Sequence, residues 1–388
     1  MDNKNVEKLF LKEMKGFLFY SKYIWPLHSK FIKKVISPRC KYCVISHNLS
    51  PLNDQGYCST CAEILKNPES NSKINEADIS KKKFLIEDLH EVLQKAIDKG
   101  THRFDAAVLF SGGKDSSFLV HYLNKNYPKL RIVLLTIDNT FMSPFALKNI
   151  NYMIQKFDLE LVTIRPPASV FNKMFRYAFL NLNNKGCSGT VDQFDGDFFH
   201  DIGRNYAKDN NIPFLISGCS KTQVEHILGL NHFESPFEIE SKKREQVAGI
   251  KLSNIFNSEE LKLWGQGGSQ GHIPRVIFPF YALDFEEQEI LSKVVELGLM
   301  PPYSGNPLLT NNQLIPLMAI VDMIKFGYSS FEFEFCKMVR RGKADPTFWR
   351  NIFELSEYSA KTGNFISKTV DQSLKRLNLT RKDLQIPK

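Results

Sequence analysis

The sequence predicts an α/β protein built on a doubly wound parallel sheet, with a small cysteine-rich module before the sheet and a helical region after it. Short apolar, β-branched runs alternate with segments of helical periodicity between residues 104 and 217. This alternation is the order that a parallel sheet requires. Two Cys-x-x-Cys pairs precede the alternating region, and a chain of 388 residues has room for about two or three domains.

The composition is that of an ordinary globular chain with a basic surface. Hydrophobic residues make up 43% and charged residues 24%, and 51 Lys and Arg exceed 42 Asp and Glu by nine charges. This surplus favours anionic ligands such as a nucleotide, a sugar phosphate, RNA or an acidic lipid surface, without selecting one of them. Neither a signal-peptide pattern nor an apolar run of about 18 residues is visible, so we expect a cytoplasmic protein without a transmembrane segment.

Residues 1–36 form the first predicted module, an aromatic and basic helical segment. Seven aromatic residues between Phe10 and Phe31 interleave with lysines. Because Pro26 interrupts the pattern, we expect two short helices. One hypothesis is that these helices pack on the rest of the protein with lysines facing solvent, and we favour it. The other is that they dock on a membrane surface or a partner.

Residues 37–65 form the second predicted module, in which fourteen residues separate two Cys-x-x-Cys pairs. The four thiols belong to Cys40, Cys43, Cys58 and Cys61. This spacing is typical of a structural zinc ribbon, in which four thiolates leave no open position for water. Seven cysteines in a chain this long do not indicate a disulfide scaffold. An iron–sulfur site with the same ligands remains the alternative.

Residues 84–290 are predicted to form the sheet domain, and residues 291–388 a helical C-terminal region. A polar stretch at 66–83 precedes a lead-in helix at 86–99. Strands are expected at 106–110, 131–137, 159–164 and 212–217, and helices at 116–124, 144–156, 169–181 and 195–210. Residues 229–275 have no regular pattern, and a loop of this length is often a lid over a site.

The first strand ends in a turn with the composition of a phosphate-binding loop. Its residues are Ser111, Gly112, Gly113, Lys114, Asp115, Ser116 and Ser117. The two glycines let the backbone approach an anion without a Cβ clash, and the amides at the start of the following helix point at that anion. The serines add hydroxyl donors, Lys114 adds a positive charge, and we expect Asp115 to help hold Mg²⁺. The spacing is neither that of a Walker A loop nor that of a dinucleotide-binding turn.

The string Ser-Gly-Gly-Lys-Asp-Ser between a strand and a helix resembles the PP-loop signature of the N-type ATP pyrophosphatases, over roughly residues 104–290. The resemblance implies an enzyme that splits ATP into AMP and pyrophosphate, with the loop holding the pyrophosphate. Ligands of open α/β sheets bind at the carboxyl ends of the strands. We therefore expect Asp138, after the second strand, and Gly218, after the fourth, to line the nucleotide site.

The order of the cysteine ribbon and the loop, with Thr136-Ile137-Asp138-Asn139 and Asn149, resembles the N-acetyl sugar amidotransferases of bacterial surface-glycan synthesis. That resemblance implies adenylation of a carbonyl group, followed by nitrogen transfer onto an N-acetyl sugar or nucleotide sugar. In that family a separate glutaminase and a synthase-like protein deliver the ammonia, so such partner proteins are expected here.

Cys187 and Cys219 support a different hypothesis, because PP-loop sulfur transferases use cysteines in comparable places. The alternative function is therefore ATP-dependent thiolation of a tRNA base or small heterocycle, and an iron–sulfur version of it would require Cys336 as a third ligand. A further alternative is a nucleotide-binding scaffold without turnover, which the intact Lys114 and Asp115 disfavour. For each cysteine, the other hypothesis is a small buried residue without a chemical role, and we favour it.

Several polar residues near the strand ends receive different expectations. Glu225 resembles the acidic residue that follows the fourth strand in the PP-loop class, and is expected to bind Mg²⁺ or to steer the nucleophile. Among Asp192, Asp195 and Asp197, at least one is expected to cap a helix. His200 is expected on a helix surface without a role.

Overall fold

A computed structural model describes residues 3–32, 34–67, 76–99, 103–221, 223–224, 243–266, 274–283, 285, 287–300, 307–310 and 312–387. The chain divides into two compact units. The ribbon unit comprises Met1–Ile74, Phe175–Asp192 and Asn312–Lys388, and the sheet unit comprises Asn75–Met174 and Gln193–Asn311.

The sheet unit contains a five-stranded parallel sheet and a separate two-stranded antiparallel pair. The strands are β1 Ala106–Leu109, β2 Ile132–Ile137, β3 Leu161–Ile164, β4 Phe214–Ile216, β5 Gln246–Val247, β6 Ile250–Lys251 and β7 Arg275–Ile277. The order of the larger sheet is β3-β2-β1-β4-β7, and each neighbouring pair is parallel. The chain thus runs outward from β1 to β3 and then returns to the other side of β1, as in doubly wound sheets. The predicted α/β class is confirmed.

Helices follow the strands and make up most of the remaining regular structure. In chain order they are α1 Asn3–Tyr23, α2 Trp25–His28, α3 Ser59–Lys66, α4 Glu76–Lys99, α5 Lys114–Asn126, α6 Pro144–Phe157, α7 Ala168–Leu180, α8 Gln193–Asp209, α9 Ser258–Leu261, α10 Pro279–Leu283, α11 Glu287–Glu296, α12 Pro307–Thr310, α13 Ile315–Lys325, α14 Glu332–Arg340, α15 Pro346–Thr362 and α16 Ser367–Arg376. Among the helices that the structure describes, none has both the length and the apolar character to span a bilayer.

The central strands of the sheet are apolar and buried. Every residue of β2 is buried, which is the pattern of a strand covered on both faces. The hydroxyl of Thr136 donates to the Phe110 carbonyl over 2.7 Å, which satisfies a polar group inside this core. On α8, a Cβ at Gly203 would lie 3.0 Å from Leu109 and 3.2 Å from Leu215. Glycine at this position therefore lets α8 pack closely on β1 and β4.

Two helical segments begin or end differently from the prediction. α1 continues unbroken to Tyr23, and Pro26 lies in the first turn of α2, where its missing N–H breaks no intrahelical hydrogen bond. α4 begins at Glu76, well before the predicted start at Ile86. A helix with one solvated side tolerates a polar stretch that resembles a linker in the sequence.

A buried ion network organises the ribbon unit. Arg39 Nη1 lies 2.9 Å from Glu332 and Nη2 lies 3.8 Å from Glu357, and all three side chains are almost completely buried. Glu332 also accepts the Ser46 N–H over 2.7 Å, and Glu357 accepts the Ser37 N–H over 2.9 Å. Charges removed from water are costly unless they are paired and hydrogen-bonded. The network therefore fixes the start of the cysteine ribbon to α14 and α15.

Arg39→Met is expected to destabilise the folded protein by about 3–5 kcal/mol, because it leaves the buried Glu332 without the Arg39 cation, whereas Glu357 keeps its ion pair with Lys361 at 2.7 Å. Urea unfolding followed by circular dichroism measures the change. Lys95→Met is the control, since Lys95 pairs with Glu91 on the exposed face of α4, and its unfolding midpoint should not move. An Arg39→Met protein that unfolds at the wild-type urea concentration would contradict this account.

Candidate functional site

The predicted phosphate loop leaves the carboxyl end of β1 and runs into α5. Gly112 has a φ of 73°, in the left-handed region that residues with a Cβ rarely adopt. A Cβ at this position would lie 2.3 Å from the carbonyl oxygen of Ala146, in α6. Only glycine lets the turn pass α6 at this distance.

Asn149 fixes the loop to α6. Its Nδ2 donates to the Gly112 carbonyl over 2.8 Å, and its side chain is completely buried. Its Oδ1 has no hydrogen-bond partner within the described part of the chain, and an unpaired buried group of this kind costs about 1–3 kcal/mol. The hydrogen bond from Asn149 Nδ2 thus anchors the loop at Gly112, the residue with the left-handed backbone conformation.

The start of α5 has the geometry of an anion-binding helix end. Gly113 is the N-cap residue, so no side chain at this position caps the helix. Ser111 Oγ accepts the Gly113 N–H over 3.4 Å and lies 3.2 Å from Ser116 Oγ. The first intrahelical bond, from Ser117 N to the Gly113 carbonyl, spans 3.0 Å. The amides before it carry the positive end of the helix dipole, which attracts phosphate.

Lys114 and Asp115 form an ion pair beside this helix end. Lys114 Nζ lies 3.0 and 2.8 Å from the two carboxylate oxygens of Asp115. The Lys114 side chain is 10% exposed and the Asp115 side chain 31% exposed. Asp115 therefore reaches solvent while it is paired, as a carboxylate that binds a hydrated Mg²⁺ must.

The remaining loop residues differ in how accessible they are. Ser111 is exposed, whereas Ser116 and Ser117 are buried. Ser117 Oγ has no hydrogen-bond partner among the described residues. A Cβ on Gly218, which follows β4, would lie 3.4 Å from Ser116 Cα. The segments after β1 and β4 therefore meet where the strand order reverses, which is where open α/β sheets bind their ligands.

The carboxyl end of β2 is held by polar contacts and contains one strained residue. Asp138 accepts hydrogen bonds from Arg165 Nε over 2.8 Å and from Thr140 N over 2.7 Å. Asn139 Nδ2 donates to both oxygens of Asp195 in α8, over 2.9 and 3.1 Å. Thr140 has a φ of 66°, which is rare for a β-branched residue. Such strain clusters at functional sites, and no sequence pattern indicated it.

Cys219 is connected to a buried histidine through Ser217. Ser217 Oγ lies 3.3 Å from Cys219 Sγ and 3.1 Å from His200 Nε2. His200 Nδ1 donates to the Gly196 carbonyl over 2.8 Å, so Nε2 is the acceptor. Burial lowers the pKa of His200, which keeps the imidazole neutral at pH 7. The prediction of a surface position for His200 is wrong, since its side of α8 is buried.

Cys187 belongs to the ribbon unit, whereas Cys219 belongs to the sheet unit. The Cys187 N–H donates to Asp322 over 2.8 Å, and the Cys187 thiol is hydrogen-bonded to the same carboxylate. Burial raises the pKa of the Cys187 thiol well above its ordinary value, and the negative charge of Asp322 raises this pKa further. The reactive thiolate of Cys187 is thereby suppressed.

The segment before β7 is described only in part. Glu225 lies outside the described residues, as do 226–242 and 267–273, so the expected role of Glu225 stays a prediction. Within residues 243–266, Arg244 contacts Asp201 over 2.5 Å and Asp197 over 3.2 Å. Burial raises the pKa of Asp197 to about 6, although Arg244 opposes the shift. Arg244 thus fixes this segment to α8.

The four cysteines of the ribbon converge on one point. All four are buried, and their Sγ atoms lie within 4.8 Å of one another. Cys43 Sγ and Cys58 Sγ are 3.8 Å apart, which is also about the separation of two sulfurs in a tetrahedron with Zn–S bonds of 2.3 Å. The site therefore has the ligands and the size for a single tetrahedral metal ion.

Donors from α14 and α15 surround this thiol cluster. Arg340 Nη1 donates to Cys43 Sγ over 3.2 Å, and Arg350 Nη2 donates to the Cys40 carbonyl over 2.9 Å. Hydrogen bonds lower the pKa of the Cys43 thiol. The largest contribution comes from Cys336, followed by Cys40 and Cys61. Donors of this kind stabilise metal-bound thiolates. The sequence did not reveal them, because almost three hundred residues separate them from the ribbon.

No protein-family model matches the chain, and no curated protein matches it either. A tRNA thiolase and two synthetases are among the solved structures that are similar to it. A U34-tRNA thiolase from Methanococcus maripaludis, with its 4Fe–4S cluster, has 15% identity and a TM-score of 0.37, over 89% of this chain and 91% of the thiolase.

The other two are synthetases. An NH3-dependent NAD synthetase from Campylobacter jejuni has 13% identity and a TM-score of 0.32, over 75% of this chain and 96% of its own. An NMN synthetase from Francisella tularensis has 11% identity and a TM-score of 0.33, over 70% of this chain and 94% of the synthetase. Similarity this low decides neither the family nor the activity.

The purified protein is expected to contain about one zinc per chain and no iron or labile sulfide, because four converging thiolates suit one tetrahedral ion. Metal analysis and a visible spectrum, on protein purified without oxygen, measure this. Cys61→Ser should lower the zinc content, whereas Cys187→Ser, the control, should keep it. Iron with matching sulfide in place of zinc would contradict the assignment.

Proposed function

We propose that this protein splits ATP into AMP and pyrophosphate while it adenylates a carbonyl oxygen of its substrate. The observation that carries the proposal is the geometry of the loop between β1 and α5. The loop backbone passes α6 at a distance that only a glycine at position 112 allows. The start of α5 has no side-chain cap. Gly218 lies next to this helix start, at the point where the strand order reverses. The same loop has the PP-loop string of residues.

In the adenylation step, the substrate carbonyl oxygen attacks the α-phosphorus of ATP, and the bond to the bridging oxygen breaks. Pyrophosphate leaves with the electron pair of that bond, so negative charge develops on the leaving group. The amides at the start of α5 and the Lys114 ammonium are the groups placed to stabilise that charge. Asp115 would hold Mg²⁺, which neutralises phosphate charge when bound.

In the second step we place ammonia as the nucleophile and an N-acetyl sugar or nucleotide sugar as the acceptor. Nitrogen forms a bond to the activated carbon, the bond from that carbon to the AMP oxygen breaks, and the nitrogen loses a proton. An acetamido group becomes an amidine in this way. The motif at Thr136–Asn139, together with Asn149 beside the loop, supports this choice, and a partner protein would supply the ammonia.

The surroundings of Cys187 also favour nitrogen transfer. A sulfur transferase that used both cysteines would need Cys187 as a reactive thiolate. Its thiol is completely buried, and its hydrogen bond to Asp322 requires the protonated form. We therefore assign Cys187 a structural role in the ribbon unit.

Sulfur transfer through Cys219 alone is the second candidate, and one observation favours it. The Cys219 thiol can donate to Ser217 Oγ, whose own proton can pass to the neutral Nε2 of His200. This relay would leave a thiolate on Cys219 and an imidazolium on His200. The burial that lowers the pKa of His200 opposes this proton transfer. The acceptor in that case would be a tRNA base or a small heterocycle.

Lys114→Ala is expected to lower the rate of AMP and pyrophosphate formation by about 10²–10³-fold, because a preorganised charge at the leaving group is lost. Chromatographic detection of AMP from ATP measures the rate. Lys125→Ala, at the exposed last turn of the same helix, is the control and should retain full activity. If Lys114→Ala also remains fully active, the loop does not hold the pyrophosphate. If the wild type forms no AMP, the protein is a nucleotide-binding scaffold without turnover.

Cys219→Ser separates the two candidate nucleophiles. With a panel of nucleotide-activated N-acetyl sugars, nitrogen transfer predicts AMP formation that depends on ammonium and is preserved in both Cys219→Ser and Cys187→Ser. Loss of turnover in Cys219→Ser, together with stimulation by a sulfide donor instead of ammonium, would assign sulfur transfer. Mass spectrometry of the product identifies the transferred atom in either case.

A further inference from the structure

Helix α1 has apolar residues on two opposite sides. Phe10, Met14 and Phe17 form its buried stripe, each no more than 3% exposed. Phe19 and Tyr23 lie roughly 180° around the helix from that stripe, at 3.6 residues per turn. Both are 58% exposed, although this side of an amphipathic helix is ordinarily polar. The buried stripe accounts for the packing of α1, so the second apolar side requires another explanation.

The exposed apolar side chains continue through α2 and the turn after it. Six of the sixteen large exposed apolar side chains of the described chain fall within seventeen residues. We call them the N-terminal patch: Phe19, Tyr23, Ile24, Leu27, Phe31 and Val35. Leu27 is 63% exposed and Phe31 is 87% exposed. Single exposed apolar residues are common, but a concentration of them marks an interaction surface.

The charge of this segment has one sign. No Asp or Glu occurs between Met14 and Asn53, although 42 occur in the whole chain. Four lysines beside the patch are exposed: Lys15, Lys22, Lys30 and Lys34. The segment therefore attracts a negatively charged partner. A basic partner would find no acidic residue within this segment.

We propose that the N-terminal patch docks on a lipid bilayer that contains anionic headgroups. Aromatic and aliphatic side chains would enter the headgroup region, and the lysines would contact lipid phosphates, with α1 and α2 lying on the membrane surface. A protein partner would have to present an acidic patch of its own at the matching positions, because interface potentials are complementary. Charges of only one sign along this segment suit a uniformly anionic plane instead. The proposal does not depend on the reaction assigned to the sheet unit.

Cosedimentation of the full-length protein with vesicles tests the proposal. The protein should pellet with vesicles of phosphatidylcholine and phosphatidylglycerol, but only weakly with phosphatidylcholine alone. Binding should fall when salt is raised from 0.1 M to 1 M, because the Debye length shortens from about 10 Å to about 3 Å. The double variant Leu27→Ser/Phe31→Ser should bind at least about tenfold more weakly, since it removes two large apolar side chains from the contact.

Phe84→Ser is the matched control, because Phe84 is 57% exposed but lies on α4 of the sheet unit, and it should bind like the wild type. Leu27 and Phe31 are exposed, so their replacement leaves the core intact, which circular dichroism checks. Equal binding of the double variant and the wild type, or equal binding to both vesicle types, would overturn the proposal. So would a wild type that ignores vesicles and forms a dimer that the double variant abolishes, which would assign the patch to a second copy of the chain.

Discussion

The close approach of Gly112 to the Ala146 carbonyl is the constraint on which the candidate nucleotide site depends. A residue with a Cβ would push the β1–α5 turn away from α6. That shift would break the hydrogen bond from Asn149 to the Gly112 carbonyl and would reorient the first amides of α5. A single residue without a side chain thus decides whether the helix end, the Lys114–Asp115 pair and Gly218 occupy one small region of space.

Buried charges play a comparable part in holding irregular segments in place. Arg39 joins the start of the cysteine ribbon to Glu332 and Glu357, and Arg244 joins the segment before β7 to Asp197 and Asp201 of α8. In each case an arginine meets two carboxylates that are distant in sequence. Because an unpaired buried charge is far more costly than a lost surface ion pair, these contacts fix loops that have little regular structure of their own.

The cysteines show how surroundings, more than residue type, decide chemistry. Four thiols converge with a geometry suited to a metal ion, and donors from Arg340 and Cys336 favour the ionised form of Cys43. Cys187 meets a buried carboxylate and stays protonated. Cys219 meets a hydroxyl that leads to a neutral imidazole. These environments are what distinguish a metal ligand, a structural thiol and a candidate nucleophile.

The alternation of apolar runs and helical periods was sufficient to predict the parallel sheet, and the string from Ser111 to Ser117 was sufficient to predict a tight glycine turn between a strand and a helix. Both are local properties, because strand burial and turn geometry depend on neighbouring residues. The tertiary structure alone placed His200 beside Ser217, Asp322 beside Cys187 and Arg340 beside Cys43. It alone left the aromatic residues opposite the buried stripe of α1 in solvent. Such features depend on contacts between residues far apart in the chain, and local periodicity contains no information about which of two apolar helix sides will be covered.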